Sequence, residues 1–269
     1  MNKLDELFNN PSTMLGVKKS KRFFMAHMIA GYPSLRTSEK IAQTLIKGGT
    51  DIIELQIPFS DPMADGPTIA VASEDALKNG ASVTKSLALL KKISKGGKPI
   101  AVMSYMNPIF RFGIRNFVRT IKRNGASALI VPDCPFDSEE GKALLAACNE
   151  ENIYLIPVVS PGVPQERLVQ LAKEAKGFVY CTSRQGITGA NSRFAQDLFN
   201  FIEELKKVFD LPIAVGFGVK SRKDVMVLAR HADITIAGSF FVSAIKKCAN
   251  GKDLKRFEKI IAQLIGTSV

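Results

Sequence analysis

Two acidic side chains, Glu54 and Asp65, stand where carboxylates could do chemistry. Glu54 interrupts the apolar, isoleucine-rich run Asp51 to Phe59, a pattern typical of a strand buried on both faces of a parallel sheet. A carboxylate is costly to bury unless it is paired, hydrogen-bonded or used, so Glu54 is either a structural ion-pair partner or a functional acid. Asp65 lies on the proline-rich loop that follows this strand. We therefore expect both carboxylates to face one pocket.

The acids of this loop also have a structural interpretation. Asp61 precedes Pro62 and Asp65 precedes Gly66, and aspartates in such places commonly form turns. Asp61 is interpreted as a turn former on this basis. For Asp65 taken alone, a turn residue and a functional acid both stay open.

The elements that position these residues follow from an alternation of short apolar runs with amphipathic helical segments. This pattern leaves two α/β folds, a (β/α)8 TIM barrel and a doubly wound sheet. The barrel is favoured as a single domain over residues 1–269, since such a barrel uses about 250 residues. An extra helix is predicted at the N-terminus (2–9), where it would plug the bottom of the barrel. Two more helices are predicted at the C-terminus (240–249 and 252–265). The predicted strands are 23–31, 51–59, 99–105, 128–132, 153–159, 178–182, 212–217 and 234–237.

Glycines at two of the predicted strand ends suggest a phosphate site. Gly216 and Gly218 end the seventh strand, and Gly238 and Ser239 lead from the eighth strand straight into a helix. Glycines let backbone N–H groups approach an anion, and a helix N-terminus favours negative charge. A tight strand-to-helix turn explains the same glycines without any ligand. The stretch Ser183 to Asn191, with two glycines, is interpreted as a loop that closes over a ligand.

Composition excludes several classes of protein. The net charge is +12, from 37 basic and 25 acidic residues, but the basic clusters are short, which favours a solvated surface over nucleic-acid binding. The four cysteines have neither CxxC spacing nor ligand spacing with a histidine, which argues for reduced thiols and against a zinc site. No signal peptide and no apolar run of about 18 residues is evident, so we expect a soluble cytoplasmic protein without membrane contact.

Six motifs in order carry a resemblance to one family. With Glu54 ahead of them, the sequence resembles the tryptophan synthase alpha chain over nearly its whole length. The motifs are PFSDPMADGP (58–67), MNPIF (106–110), VPDCP (131–135), SRQGITGA (183–190), AVGFGV (214–219) and AGS (237–239).

The resemblance implies a (β/α)8 barrel that cleaves indole-3-glycerol phosphate to indole and glyceraldehyde 3-phosphate by a retro-aldol reaction. Glu54 corresponds to the general acid/base and Asp65 to the acid that hydrogen-bonds the indole N–H. No metal or cofactor is implied for this chain. Its partner would be a beta chain that carries pyridoxal phosphate, in an α2β2 complex. Substrate-binding residues implied by position are Tyr105, Tyr180, Thr188, Gly189, Gly218, Gly238, Ser239 and, in the indole half of the pocket, His27.

Two residues depart from the family pattern. Gln56 stands where glycine is usual and points to the same strand face as Glu54, so its amide is expected to hydrogen-bond Glu54, to occupy indole space, or to pack harmlessly. His27 stands where phenylalanine is common, either as a satisfied core residue or as a changed pocket wall.

The departures motivate an alternative function. The alternative is a catalytically weakened alpha subunit that acts mainly as an allosteric activator of the beta chain. A third interpretation, another phosphosugar barrel such as an isomerase, would make the SDPMADGP loop a coincidence.

Overall fold

A computed structural model describes residues 1–9, 22–182, 193–216, 218–248 and 252–267. Within these ranges nine parallel strands form one sheet in the order β5-β4-β3-β2-β1-β9-β8-β7-β6, with helices packed around it. The strands are β1 Phe23–Ile29, β2 Ile52–Gln56, β3 Ile100–Met103, β4 Ala128–Ile130, β5 Tyr154–Ile156, β6 Val158–Val159, β7 Val179–Cys181, β8 Ile213–Val215 and β9 Ile234–Ala237. The helices are α1 Lys3–Phe8, α2 Leu35–Lys47, α3 Pro67–Lys78, α4 Val83–Ile93, α5 Met106–Phe112, α6 Ile114–Arg123, α7 Glu139–Glu150, α8 Gln165–Glu174, α9 Arg193–Val208, α10 Arg222–Leu228, α11 Ser239–Lys247 and α12 Leu254–Ile265.

The sheet curls into a nearly closed barrel through a bend at Pro157. The fifth predicted strand is divided there into β5 and β6, because proline has no N–H to donate to a neighbouring strand. β5 pairs with β4, whereas β6 pairs with β7, so one stretch of chain joins the two ends of the sheet. The Tyr180 N–H donates to the Pro157 carbonyl at 2.9 Å across this junction. The predicted (β/α)8 barrel is confirmed, with one of its eight strands split.

Alternate strand residues point into the barrel and form an inner core separate from the outer one. On β2, Ile52 packs in this inner core, so Glu54 and Gln56 share its face by the two-residue strand period. Leu4 of α1 is fully buried against the same cluster, and the Asn2 side-chain amide donates to the Ser127 carbonyl at 2.9 Å. The N-terminal helix therefore plugs the bottom of the barrel as predicted.

Helix α5 was not predicted, and its N-terminus explains why. The Asp133 carboxylate, at the end of β4, accepts the Met106 N–H with both oxygens, at 2.9 and 3.1 Å. A cap supplied from 27 residues away leaves no local signal in the sequence. Among the described residues, no helix has the combined length and apolarity needed to cross a bilayer.

Candidate active site

A cavity of about 300 Å³ opens at the carboxyl ends of the strands, where barrel active sites lie. Seven of the predicted catalytic and substrate-binding residues line it together. They are His27, Glu54, Asp65, Tyr180, Gly218, Gly238 and Ser239. Thr188 and Gly189, and the loop of residues 183–191 that carries them, lie outside the described residues.

His27 and Glu54 form a buried pair at the bottom of the cavity. They are register partners on the adjacent strands β1 and β2, and His27 Nδ1 lies 3.2 Å from Glu54 Oε2. Only 5% of His27 and 2% of Glu54 is exposed, so the pair is almost fully removed from water. Burial opposes a charge on the imidazole, but the Glu54 carboxylate and, further off, Asp65 outweigh it and raise the pKa of His27 above its usual value. The two carboxylates therefore favour the charged form of His27 over the neutral form.

Asp65 is held in place from two elements. The Gln56 side-chain amide of β2 donates to Asp65 Oδ2 at 2.6 Å. The Tyr105 hydroxyl, just before α5, accepts the Ala64 N–H at 3.1 Å and so fixes the loop residue next to Asp65. Burial raises the pKa of Asp65, and the Gln56 hydrogen bond, the His27 charge and the Tyr105 hydroxyl partly offset this effect. Tyr105, expected at the substrate, thus acts on the loop backbone behind the cavity.

The orientation of Gln56 contradicts two of the three alternatives drawn from the sequence, a hydrogen bond to Glu54 and occupation of indole space. Its side chain shares the barrel-facing side of β2 with Glu54, but its hydrogen bond goes to Asp65. Gln56 is fully buried and does not line the cavity, so it does not take up the space of a ligand there. The reason is the return of the β2–α3 loop over the strand end, which brings the Asp65 carboxylate within reach of the amide.

Tyr180 of β7 presents a neutral phenol to the cavity. Burial, followed by the negative charges of Glu54 and Asp65, raises the pKa of its hydroxyl well above the usual value. A Cβ atom at Gly216 would come within 3.0 Å of the Tyr180 Oη. Gly216 therefore leaves room for a hydroxyl that can donate a hydrogen bond to a ligand.

The opposite end of the cavity has the features of an anion site. Gly218 has a φ of +64°, in the left-handed region, and Ser239 begins α11 directly after Gly238. The Gly238 carbonyl accepts hydrogen bonds from the N–H groups of Phe241 and Val242. The two N–H groups that precede them in α11 have no carbonyl partner within the helix, so they are available to an anion. Phosphate groups favour this combination of free amides and helix dipole.

An apolar wall joins the acidic end to the anion end, and sequence reasoning did not single it out. Its members share an inward position near the carboxyl end of a strand, which is the one signal that could have revealed them. They are Met103, Ile130, Val158 and Ile236. Such a wall suits a flat apolar ring rather than a bare sugar phosphate.

Two acids, an apolar wall and a helix-start anion site at the top of one barrel define the class of TIM-barrel enzymes that act on phosphorylated substrates. Comparison with known proteins narrows this class. The family model described as tryptophan synthase alpha chain matches residues 15–265. The chain belongs to the tryptophan synthase alpha chain family.

Individual relatives and solved structures agree over most of the chain. The tryptophan synthase alpha chain of Petrotoga mobilis is 35% identical over 265 residues, covering 96% of this chain and 98% of the relative. That of Desulforapulum autotrophicum is 37% identical over 230 residues, covering 85% and 90%. A structure of Mycobacterium tuberculosis tryptophan synthase superposes with a TM-score of 0.86 at 35% identity, covering 98% of this chain and 97% of that chain.

Proposed function

We propose that this chain is a tryptophan synthase alpha subunit that cleaves indole-3-glycerol phosphate to indole and glyceraldehyde 3-phosphate. The observation that carries the proposal is one cavity with a buried and a partly buried carboxylate at one end, an apolar wall, and an anion site at the other end. The wall suits the indole ring, and the start of α11 suits the phosphate. This arrangement holds the glycerol carbons between the acids and the phosphate.

Glu54 and Asp65 take different parts in the reaction. Glu54 passes a proton to C3 of the indole, which leaves positive charge on the ring, and Asp65 stabilises this charge by accepting a hydrogen bond from the ring N–H. The bond from C3 to the glycerol carbon then breaks, its electrons return to the ring, and Glu54 takes the proton of the adjacent hydroxyl as the aldehyde forms. The contact of Asp65 Oδ2 with Gln56 supports this division, because it leaves the second oxygen of Asp65 to face the ring.

The remaining site residues bind the substrate. The Tyr180 hydroxyl donates a hydrogen bond to the substrate within the cavity, and the His27 side chain faces the indole ring. Tyr105 orders the β2–α3 loop and does not contact the substrate directly. The phosphate is bound by residues at the anion end and by the loop outside the described residues. These phosphate-binding residues are Gly189, Gly218, Gly238 and Ser239, whereas Thr188 contacts the acid of the β2–α3 loop.

The family assignment supports further proposals about the working assembly. The chain acts in an α2β2 complex with a tryptophan synthase beta chain, which carries pyridoxal phosphate and uses the indole, while the alpha chain itself needs neither metal nor cofactor. We also propose that residues 1–269 act as one domain, in the cytoplasm. Of the two departures that motivated the activator alternative, Gln56 does not line the cavity, whereas His27 does. Whether turnover is reduced stays a prediction that only kinetics can test.

Product analysis tests the proposed function. The purified chain, mixed with its beta chain without serine, is given indole-3-glycerol phosphate, and indole and glyceraldehyde 3-phosphate are quantified separately. We expect the two products in equal amounts. An isomerised sugar phosphate without indole would contradict the proposal, as would no reaction at all.

A further inference from the structure

Four polar side chains, three of them buried and the fourth, Asp65, partly buried, lie in sequence from the bottom of the cavity to the β2–α3 loop. His27 Nδ1 is 3.2 Å from Glu54 Oε2, and the Gln56 amide donates to Asp65 Oδ2 at 2.6 Å. His27 Nε2, Gln56 Oε1 and Glu54 Oε2 are all buried and lack an aligned hydrogen-bond partner among the described residues, so the 3.2 Å contact of His27 with Glu54 is an ion-pair contact. The Gln56 side chain is also near enough to His27 to favour its charged form. A hydrogen bond between His27 Nε2 and Gln56 Oε1 would connect one carboxylate to the other.

The polarity of these groups allows one continuous direction of donation. A charged imidazole has two N–H donors, which suit the Glu54 carboxylate on one side and the Gln56 carbonyl on the other. The Gln56 NH2 group then donates to Asp65, whose oxygens are acceptors only, and not donors, when the acid is ionised. Each donor meets an acceptor, so the arrangement is consistent with a positive His27 between two negative acids.

We propose that His27 and Gln56 form a relay between the two carboxylates and that His27 holds the proton which Glu54 passes to the substrate. The inference rests on the proposed lyase function. Both residues act through the acids and are positioning residues. The buried orphan atoms support a role of this kind, because an unpaired buried polar atom destabilises a fold unless it is used.

The proton count balances over one turnover. His27 gives its Nδ1 proton to Glu54 Oε2, and Glu54 gives a proton to C3 of the indole. After these two transfers the imidazole of His27 is neutral. When the carbon–carbon bond breaks, the substrate hydroxyl gives its proton to Glu54, which returns one to Nδ1. No oxidant, reductant or further reactant is needed. Gln56 keeps its amide throughout and fixes the distance between the charged groups.

The state of His27 can be measured without any enzyme assay. The chain has only two histidines, and their environments shift their pKa values in opposite directions. Burial lowers the pKa of His231, which stacks on Phe199, while the charges facing His27 raise the pKa of His27. Glu54 from β2 and Asp65 from the β2–α3 loop face His27, with Gly238 against it from the β9–α11 turn, which carries no charge. NMR of 15N-histidine-labelled protein therefore resolves two titrations.

The expected result is a His27 signal that stays charged to higher pH than an ordinary histidine. Glu54→Gln should lower its midpoint by about one pH unit or more, and Gln56→Met, which keeps the side-chain length without a donor or carbonyl, should lower it less. The His231 signal should not move, which shows that each variant is folded. A His27 that titrates at the ordinary value of about 6.5, or that ignores Glu54→Gln, would overturn the relay.

Kinetics give the second test. We expect His27→Phe and Gln56→Met each to lower kcat about tenfold with KM changed less than about threefold, and the double variant to be no worse than the poorer single one. Leu55→Met, on the outward face of the same strand, is the packing control. Losses that multiply in the double variant, or that fall on KM alone, would refute the relay. A wild type that releases no indole would instead refute the proposed function, and the histidine titration would still decide the relay.

Discussion

Replacing Gly218 by alanine should weaken phosphate binding and stability by separate, measurable amounts. At a φ of +64° an alanine side chain costs about 1 kcal/mol, which corresponds to a fall in Tm of about 2–4 °C in a chain of this size. Relief of that strain turns the neighbouring amides away from the anion. Losing one hydrogen bond to a charged group costs about 1.5–3 kcal/mol, so the KM for indole-3-glycerol phosphate should rise roughly 10- to 100-fold.

Gly162 provides a matched control for this prediction. It also has a left-handed φ, of +94°, a Cβ atom there would meet nothing within 4 Å, and it does not line the cavity. Gly162→Ala should therefore lower Tm to a similar extent without changing KM. Steady-state indole release and thermal denaturation of both variants decide the matter. If the two variants have the same KM, Gly218 is a turn residue and the assignment of the phosphate end is wrong.

Three further predictions follow from the same geometry. In Asp65→Asn the new amide oxygen can still accept a hydrogen bond from Gln56, so the loop is held in place while residue 65 loses its negative charge. We expect kcat to fall about 10²- to 10³-fold with little change in KM. A change confined to KM would contradict the role assigned to Asp65. Burial raises the pKa of Asp65, so this acid takes up its proton at a higher pH than an ordinary aspartate. As the pH falls, kcat should therefore begin to drop above pH ~3.9, and an acid limb of the pH profile at or below that value would contradict the prediction. Leu4→Ala should lower the free energy of unfolding by about 2–5 kcal/mol in urea titrations, because the Leu4 side chain is fully buried beneath the barrel. As a control, Glu6→Ala at an exposed position of the same helix should change this free energy by less than about 0.5 kcal/mol. Equal effects of the two substitutions would mean that α1 is not part of the core.

Much of the barrel could be predicted because buried parallel strands and amphipathic helices have strong local patterns. The predicted strand from 234 to 237 coincides with β9, and the others differ mainly by a few residues at their ends. The differences come from contacts that a local pattern does not contain. Pro157 splits a continuous apolar run, and Asp133 caps α5 from another part of the chain.

The residues of the candidate site likewise include some that a local sequence pattern could reveal and some that it could not. Glu54 could be singled out because a carboxylate in an apolar strand needs an explanation, and Gly238 because it stands between a strand and a helix. The partner of Gln56 could not be inferred, since strand periodicity gives the face of a side chain but not the path of the loop above it. Only the return of that loop places Asp65, rather than Glu54, at the Gln56 amide.

The most direct test of the account is the rate of indole release by wild type and Glu54→Gln in the complex with the beta chain. Glutamine has the shape of glutamate but cannot exchange a proton, so the account predicts clear release by wild type and a loss of at least about 10²-fold in the variant. The beta chain should still convert added indole and serine at the same rate with either alpha chain. Equal indole release by wild type and variant would contradict the central claim that Glu54 transfers the proton.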